Sequence, residues 1–215
     1  MQHPVPRRPG RGLARGIPAV LSVVSAFVIW EIYVRVSGIS PLMLPAPSRV
    51  LHQIVLNRAL LWDNTVPTMK ATFTGFALSL TVAFCLSVVL EFMPRVRRAL
   101  FPIFVVSQTL PLVAIAPLVV LWFGFDLTPK VLIVALVTFF PMLVALVDGY
   151  DSTDPEIEDL MRSMGASRLQ VFQAARFPSA MPYFFAGLRI SITYAVVAAI
   201  FAEYVGARAG LGIVI

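Results

Sequence analysis

Five long apolar stretches dominate this chain, and two of them hold no charged residue over a bilayer's thickness or more. Residues 71–90 are 20 positions without a charge, and residues 99–125 are 27. About 20 apolar residues in a helix cross the ~30 Å hydrocarbon layer. A third stretch, residues 17–36, is interrupted at its end by Glu31 and Arg35, which stand four apart and can pair on one helix face. It is too long for a signal peptide and lacks a small-residue cleavage site, so it is expected to be an uncleaved span. Residues 131–147 form a shorter stretch, and residues 177–202 carry a single charge, Arg189. Composition agrees. Hydrophobic residues make up 59% of the 215 and charged residues 13%, against about 45–50% and about 25% in soluble domains. The expected class is an all-α, polytopic helical membrane protein with about five spans. Pro102, Pro111 and Pro117 predict that the 99–125 span is bent or broken.

The net charge is +6 and the pI about 10.1. In a soluble protein this would suggest nucleic acid; here it reads as topology, because basic residues collect on the cytoplasmic side. A cytoplasmic N-terminus puts Arg7, Arg8, Arg11, Arg15, Arg95, Arg97, Arg98, Arg162, Arg168, Arg176 and Arg189 at the inner face. It leaves Arg35, Arg49, Arg58, Lys70, Lys130 and Arg208 outside. The expectation is an N-in protein of the inner membrane, with no nucleic-acid partner. Residues 1–16 form a basic cytoplasmic tail and residues 17–215 the membrane domain, with a cytoplasmic loop at 150–178.

Several chemistries find no support. The one cysteine, Cys85, allows no intrachain disulfide, and it is expected to pack within its span. His3 and His52 lie in unlike contexts, which argues against a metal or catalytic pair. No G-x-x-x-x-G-K-[ST] loop occurs, so the chain is not expected to hydrolyse ATP.

The loop between the last two stretches is the most informative segment. Asp154-Pro155-Glu156 suits a helix start, with Asp as N-cap, Pro in the first turn and acids at the positive end of the helix dipole. A helix is predicted from Pro155 to about Met164, with Gly165 ending it. Ser167 can cap a second short helix from Arg168 to about Arg176, stopped by Pro178. Two short amphipathic helices joined at a glycine, outside the bilayer, have the form of a docking element for a groove on a partner.

This loop resembles the EAA motif of bacterial importer permeases of the ATP-binding-cassette type: Glu-Ala-Ala, three residues, Gly, nine residues, Ile, one residue, Leu-Pro. Asp159-Leu160-Met161 stand at Glu-Ala-Ala, Gly165 at the Gly, Ala175 at the Ile and Phe177-Pro178 at the Leu-Pro. The Gly and Pro match in spacing, while the Ala-Ala and Leu are not kept. Other segments are similar to the nitrate/sulfonate/taurine-type group, which includes riboflavin and hydroxymethylpyrimidine thiamine-precursor permeases. These are Leu44-Pro45-Ala46-Pro47-Ser48, the PLVAIAPLVVLWFG run from Pro111, Phe139-Phe140-Pro141, Met164-Gly165-Ala166-Ser167, Gly187-Leu188-Arg189 and Glu203-Tyr204-Val205-Gly206. Permeases of the group continue through one more span, so the resemblance implies a chain cut short at its C-terminus.

The resemblance implies a mechanism and partners. A nucleotide-binding ATPase subunit docks the loop and uses ATP and magnesium; this chain binds no cofactor. A second permease copy completes a homodimer, and an extracytoplasmic binding protein delivers a small solute. That solute would be a nitrate-, sulfonate- or taurine-like anion, or a pyrimidine, thiamine-precursor or riboflavin-like compound. Asp159, Arg162, Gly165, Ala166, Ser167, Arg168 and Pro178 are the coupling-loop candidates. Polar residues at membrane depth tend to line a pathway or bond between helices. Ser107, Gln108, Thr109, Ser191, Thr193 and Tyr194 are the pathway candidates on that ground. A secondary transporter or a membrane-embedded enzyme is the alternative class. The first would show repeat symmetry with intramembrane acids; the second would need paired acids or metal ligands at depth.

Overall fold

The computed structural model describes residues 11–214, with side chains from Pro18 onward. The tail residues 1–10, with Arg7 and Arg8, and Ile215 lie outside the described residues. Every regular element among the described residues is helical. The chain forms two compact units, divided between Ala59 and Leu60.

The first unit holds α1 (Arg11–Ser37) and α2 (Pro47–Leu56). Helix α2 was not expected, yet its pattern is amphipathic: Val50, Leu51, Ile54 and Val55 share one face, and Arg49, His52 and Gln53 the other. Its N-cap, Ala46, supplies no side-chain acceptor, and Pro47 occupies the first turn. The orphan N–H of Ser48 donates instead to Glu31 Oε2 at 3.0 Å, and the Ser48 hydroxyl donates to Oε1 at 2.7 Å. Glu31 also accepts from Arg35 at 2.6 Å. A carboxylate inside an apolar helix is thus the cap of the next helix, placed where the dipole favours a negative charge.

The second unit begins within α3 (Arg58–Phe92). The proline-rich stretch is broken: α4 (Pro94–Ser107) and α5 (Leu112–Phe123) meet at 101°. The break falls at Pro111, whose backbone is extended, while Pro102 and Pro117 sit inside α4 and α5 without interrupting them. Then follow α6 (Leu127–Asp151), α7 (Pro155–Ser163), α8 (Arg168–Val171), a π-helical turn (Phe172–Arg176), α9 (Phe177–Val205) and α10 (Leu211–Val214). Four helical runs are long and apolar enough to cross a membrane: Pro18–Ser37, α3, α6 and Arg168–Val205. The bent α4–α5 pair is a fifth candidate.

Small residues bring α6 and α9 together. A Cβ built on Gly149 would stand 2.8 Å from Ala180 Cα, and one on Gly187 would stand 2.7 Å from Ala145 Cβ. In lipid there is no hydrophobic drive between helices, so close backbone approach through such residues supplies the association. Ser191 is buried at this seam and donates to Thr138 O at 3.0 Å. Ala195, Ala198, Ala199 and Ala202 continue the seam into a cluster with Ile133 and Val134. Gly75 plays the same part on α3, against Val131 O and Val134. Cys85, expected to pack, is exposed on the surface of the chain.

One local expectation is overturned. The second loop helix does not stop before Pro178; it runs through the π turn into α9. Phe177 N–H bonds Phe172 O, five residues back, and Pro178 enters the first turn of α9. Proline lacks an N–H and its ring clashes with the carbonyl four residues before it. Widening one turn absorbs both problems without ending the helix.

Candidate functional site

The loop that joins α6 to α9 is held by local signals and then fastened by charge. Asp154 caps α7, its carboxylate accepting from Glu156 N–H at 2.9 Å. Gly165 has φ +87, the left-handed region that glycine enters without penalty. Ser167 and Gln170 form a reciprocal capping box at α8, with Ser167 N–H donating to Gln170 Oε1 at 2.8 Å.

Helix α7 turns Glu158 inward, only 7% exposed. Arg176, on the π turn, donates to it twice, at 2.7 and 2.9 Å, and also pairs with Glu91 at the end of α3. Arg162 reaches Glu158 at 3.5 Å, and Arg97 of α4 bonds Asp151 and lies 3.8 Å from Glu91. Three arginines and three acids therefore tie α3, α4, α6, α7 and the π turn at one end of the bundle. The planar guanidinium of Arg176 suits two carboxylates, as a lysine would not. The opposite side of α7 is apolar and bare: Ile157, Leu160 at 61% and Met164 at 79% exposure.

The coupling-loop candidates divide accordingly. Asp159, Arg168 and Pro178 are exposed, Gly165 and Ser167 shape the turn, and Ala166 is half-buried, its N–H bonded to Met161 O. Arg162 turns back on its own helix. Sequence reasoning missed the hub formed by Glu158, Arg176 and Glu91. One signal was available: Glu91 directly follows the charge-free run 71–90, where an acid needs a partner.

The pathway candidates also divide. Ser107, Gln108 and Tyr194 line one cavity of about 540 Å³ at the α4–α5 break, together with α6. Thr109, Ser191 and Thr193 do not line it. Thr109 donates to Val106 O, Thr193 donates to Arg189 O, and Ser191 serves the α6–α9 seam.

A second charged cluster lies at the other end of α6. Lys130, expected as an external loop charge, is instead in the first turn of α6 and buried. It lies 3.3 Å from Glu203 and also bonds Ala209 O. Glu203 accepts from Thr68 at 2.8 Å and from Gly212 N–H at 3.1 Å; Leu211 N–H donates to Thr68, and Gly210 N–H to Asn64. Residues 209–212 are stitched over the buried pair.

Known proteins are similar to this chain in sequence. Residues 75–215 match the family described as binding-protein-dependent transport system inner membrane component. The formylaminopyrimidine transport permease protein ThiX of Halalkalibacterium halodurans is 39% identical over 92% of this chain and 79% of its own length. The riboflavin transport system permease protein RibX of Chloroflexus aurantiacus is 37% identical over 94% of this chain and 75% of its length. The taurine transport system permease protein TauC of Escherichia coli is 28% identical over 87% and 70%. On this match and these helices, the chain belongs to the family of inner-membrane components of binding-protein-dependent transport systems.

Proposed function

We propose that this chain is the permease subunit of an ATP-binding-cassette importer and forms the path of a small solute across the inner membrane. The observation that carries the reading is α7. It shows a bare apolar face outside the candidate spans while its other face is bolted to them through Glu158, Arg176 and Glu91. A surface so fastened passes a push to the bundle instead of absorbing it. A nucleotide-binding ATPase subunit docks there and consumes ATP and magnesium; a second permease copy and a binding protein complete the importer. The arginine asymmetry supports a cytoplasmic N-terminus and a cytoplasmic 150–178 loop. The names of two relatives above 35% identity, ThiX and RibX, point to nitrogen heterocycles as solutes, and we assign this chain the same class.

Leu160→Glu with Met164→Glu tests the docking. Both residues are exposed, so insertion is retained, while co-purification of the ATPase subunit falls at least tenfold. Undiminished co-purification with normal stimulated hydrolysis would remove α7 as the docking element. A cysteine at position 152 in a Cys85→Ser background reports the side: ready labelling from outside intact cells by an impermeant reagent would reverse the orientation.

A further inference from the structure

The α4–α5 break leaves irregular backbone beside the middle of α6, where Leu136, Val137, Phe140 and Pro141 face the cavity within a 25-residue helix. Non-helical backbone at membrane depth is tolerated where it lines a water-filled cavity. Two of the three polar side chains there, Gln108 and Tyr194, are unengaged. The Gln108 amide and the Tyr194 hydroxyl bond no protein group among the described residues, and Tyr194 is half exposed. Ser107 donates to Ile103 O at 2.7 Å, which leaves its oxygen free to accept. At the start of α5, Ala114 and Ile115 bond back to Pro111 O, while the N–H groups of Leu112 and Val113 have no acceptor in their own helix.

None of the lining residues is charged. The charge clusters of the second unit stand at the two ends of α6, in the Arg176 hub and the Lys130–Glu203 pair, and Arg189, midway along α9, is not among the lining residues. An anion entering the cavity would leave water without meeting a cation, which is costly. A neutral solute with carbonyl or ring-nitrogen acceptors would meet N–H and O–H donors, with Phe140 to cover a flat face. The volume of about 540 Å³ lies within the ordinary range of ligand sites.

We infer that this cavity is a chamber in the translocation path that takes a neutral, flat heterocycle, with Gln108 and Tyr194 as its specificity-determining residues. The inference rests on the importer reading above and adds where the solute is read. An uncharged chamber also passes the solute on, because a weak set of hydrogen bonds releases what it holds.

The test uses the assembled importer, with its ATPase and binding protein, in proteoliposomes. Ser107→Cys in a Cys85→Ser background is treated with a small, neutral, water-soluble thiol reagent. Labelling, slowed by riboflavin or hydroxymethylpyrimidine, is expected. An unreactive cysteine means a lipid-packed site and overturns the chamber. In the uptake arm, Gln108→Leu lowers the solute carried per ATP about tenfold and Tyr194→Phe by less, as for sites whose polar groups lose a partner. ATP-driven uptake of nitrate or ethanesulfonate by the wild type, or unchanged uptake in both variants, overturns the neutral-solute assignment and leaves the importer standing. Absence of any ATP-driven uptake by the wild type brings down the importer reading instead, and the labelling at position 107 is scored independently of it.

Discussion

Lys130→Met isolates the worth of a buried ion pair in this bundle. The Lys130 and Glu203 side chains are 6% and 0% exposed, with Nζ and Oε1 3.3 Å apart. At an effective dielectric of ~20 that separation corresponds to about 5 kcal/mol of attraction. Desolvating both ions opposes most of it, so the pair adds little over an apolar substitute; removing one member is a different matter. It strands the Glu203 carboxylate with only Thr68 and Gly212 as donors, at a cost of about 3–5 kcal/mol. Glu203→Gln in the same chain removes the stranded charge and keeps hydrogen-bonding capacity toward Thr68 and Gly212. The double variant should therefore recover most of the loss and end about 1–2 kcal/mol below wild type. Unfolding in mixed micelles by added SDS, followed by intrinsic fluorescence, gives the four corners of the cycle. A coupling below about 1 kcal/mol would show that the pair is solvated in the membrane, and the reasoning from burial would fail. The stitched 209–212 segment offers a second reading, since its amide exchange should quicken in Lys130→Met and return towards wild type in the double variant.

Three further outcomes are expected. Gly165→Arg forces a side chain into φ +87, a strain of roughly 1 kcal/mol, with nothing of its own chain within 4 Å. The variant should insert normally and lose ATPase co-purification, and normal assembly would mean that the turn faces no partner. Arg176→Met leaves Glu158 and Glu91 without their shared cation, so protease cleavage in 155–165 should rise and uptake should fall; Arg176→Lys should restore only part of both, because it lacks the two-pronged contact. Gly149→Val places a methyl group against the Ala180 backbone, for a loss of about 1–3 kcal/mol by SDS unfolding, whereas an unchanged midpoint would mean that the α6–α9 seam yields freely.

What could be read in the residues was what is written locally. Charge-free runs announced the spans, and Asp154, Gly165 and Ser167 announced their caps and turn, because a cap needs only its own next few residues. The Glu31–Arg35 pair was legible from its spacing. That Glu31 caps α2 was not, since Ser48 is 17 positions away. Helix α2 itself was hidden by the prolines before it, although its two-faced pattern was present. Lys130 and Glu203 are 73 positions apart, and nothing in either neighbourhood names the other. Pro178 misled for a different reason: proline ends most helices, and only the backbone could show that one widened turn let this one continue. In the cavity, Gln108 and Tyr194 were picked for their polarity at depth, and so were Ser191 and Thr193; polarity does not tell which side of a helix a residue faces.

The widened turn has one more consequence. Because α8 flows into α9 without a break, Arg168–Val205 is one rod of 38 residues. Arg176 sits near its foot, Tyr194 along its shaft and Glu203 near its tip. From Arg176 to Glu203 is about 40 Å at 1.5 Å per residue, so a tilt of about 5° at the foot carries the tip about 3.5 Å. That is more than the 3.3 Å separating Glu203 from Lys130. A small swing at the foot is therefore felt at the far ion pair on the scale of the contact itself, and the two ends of this protein answer to a single stick.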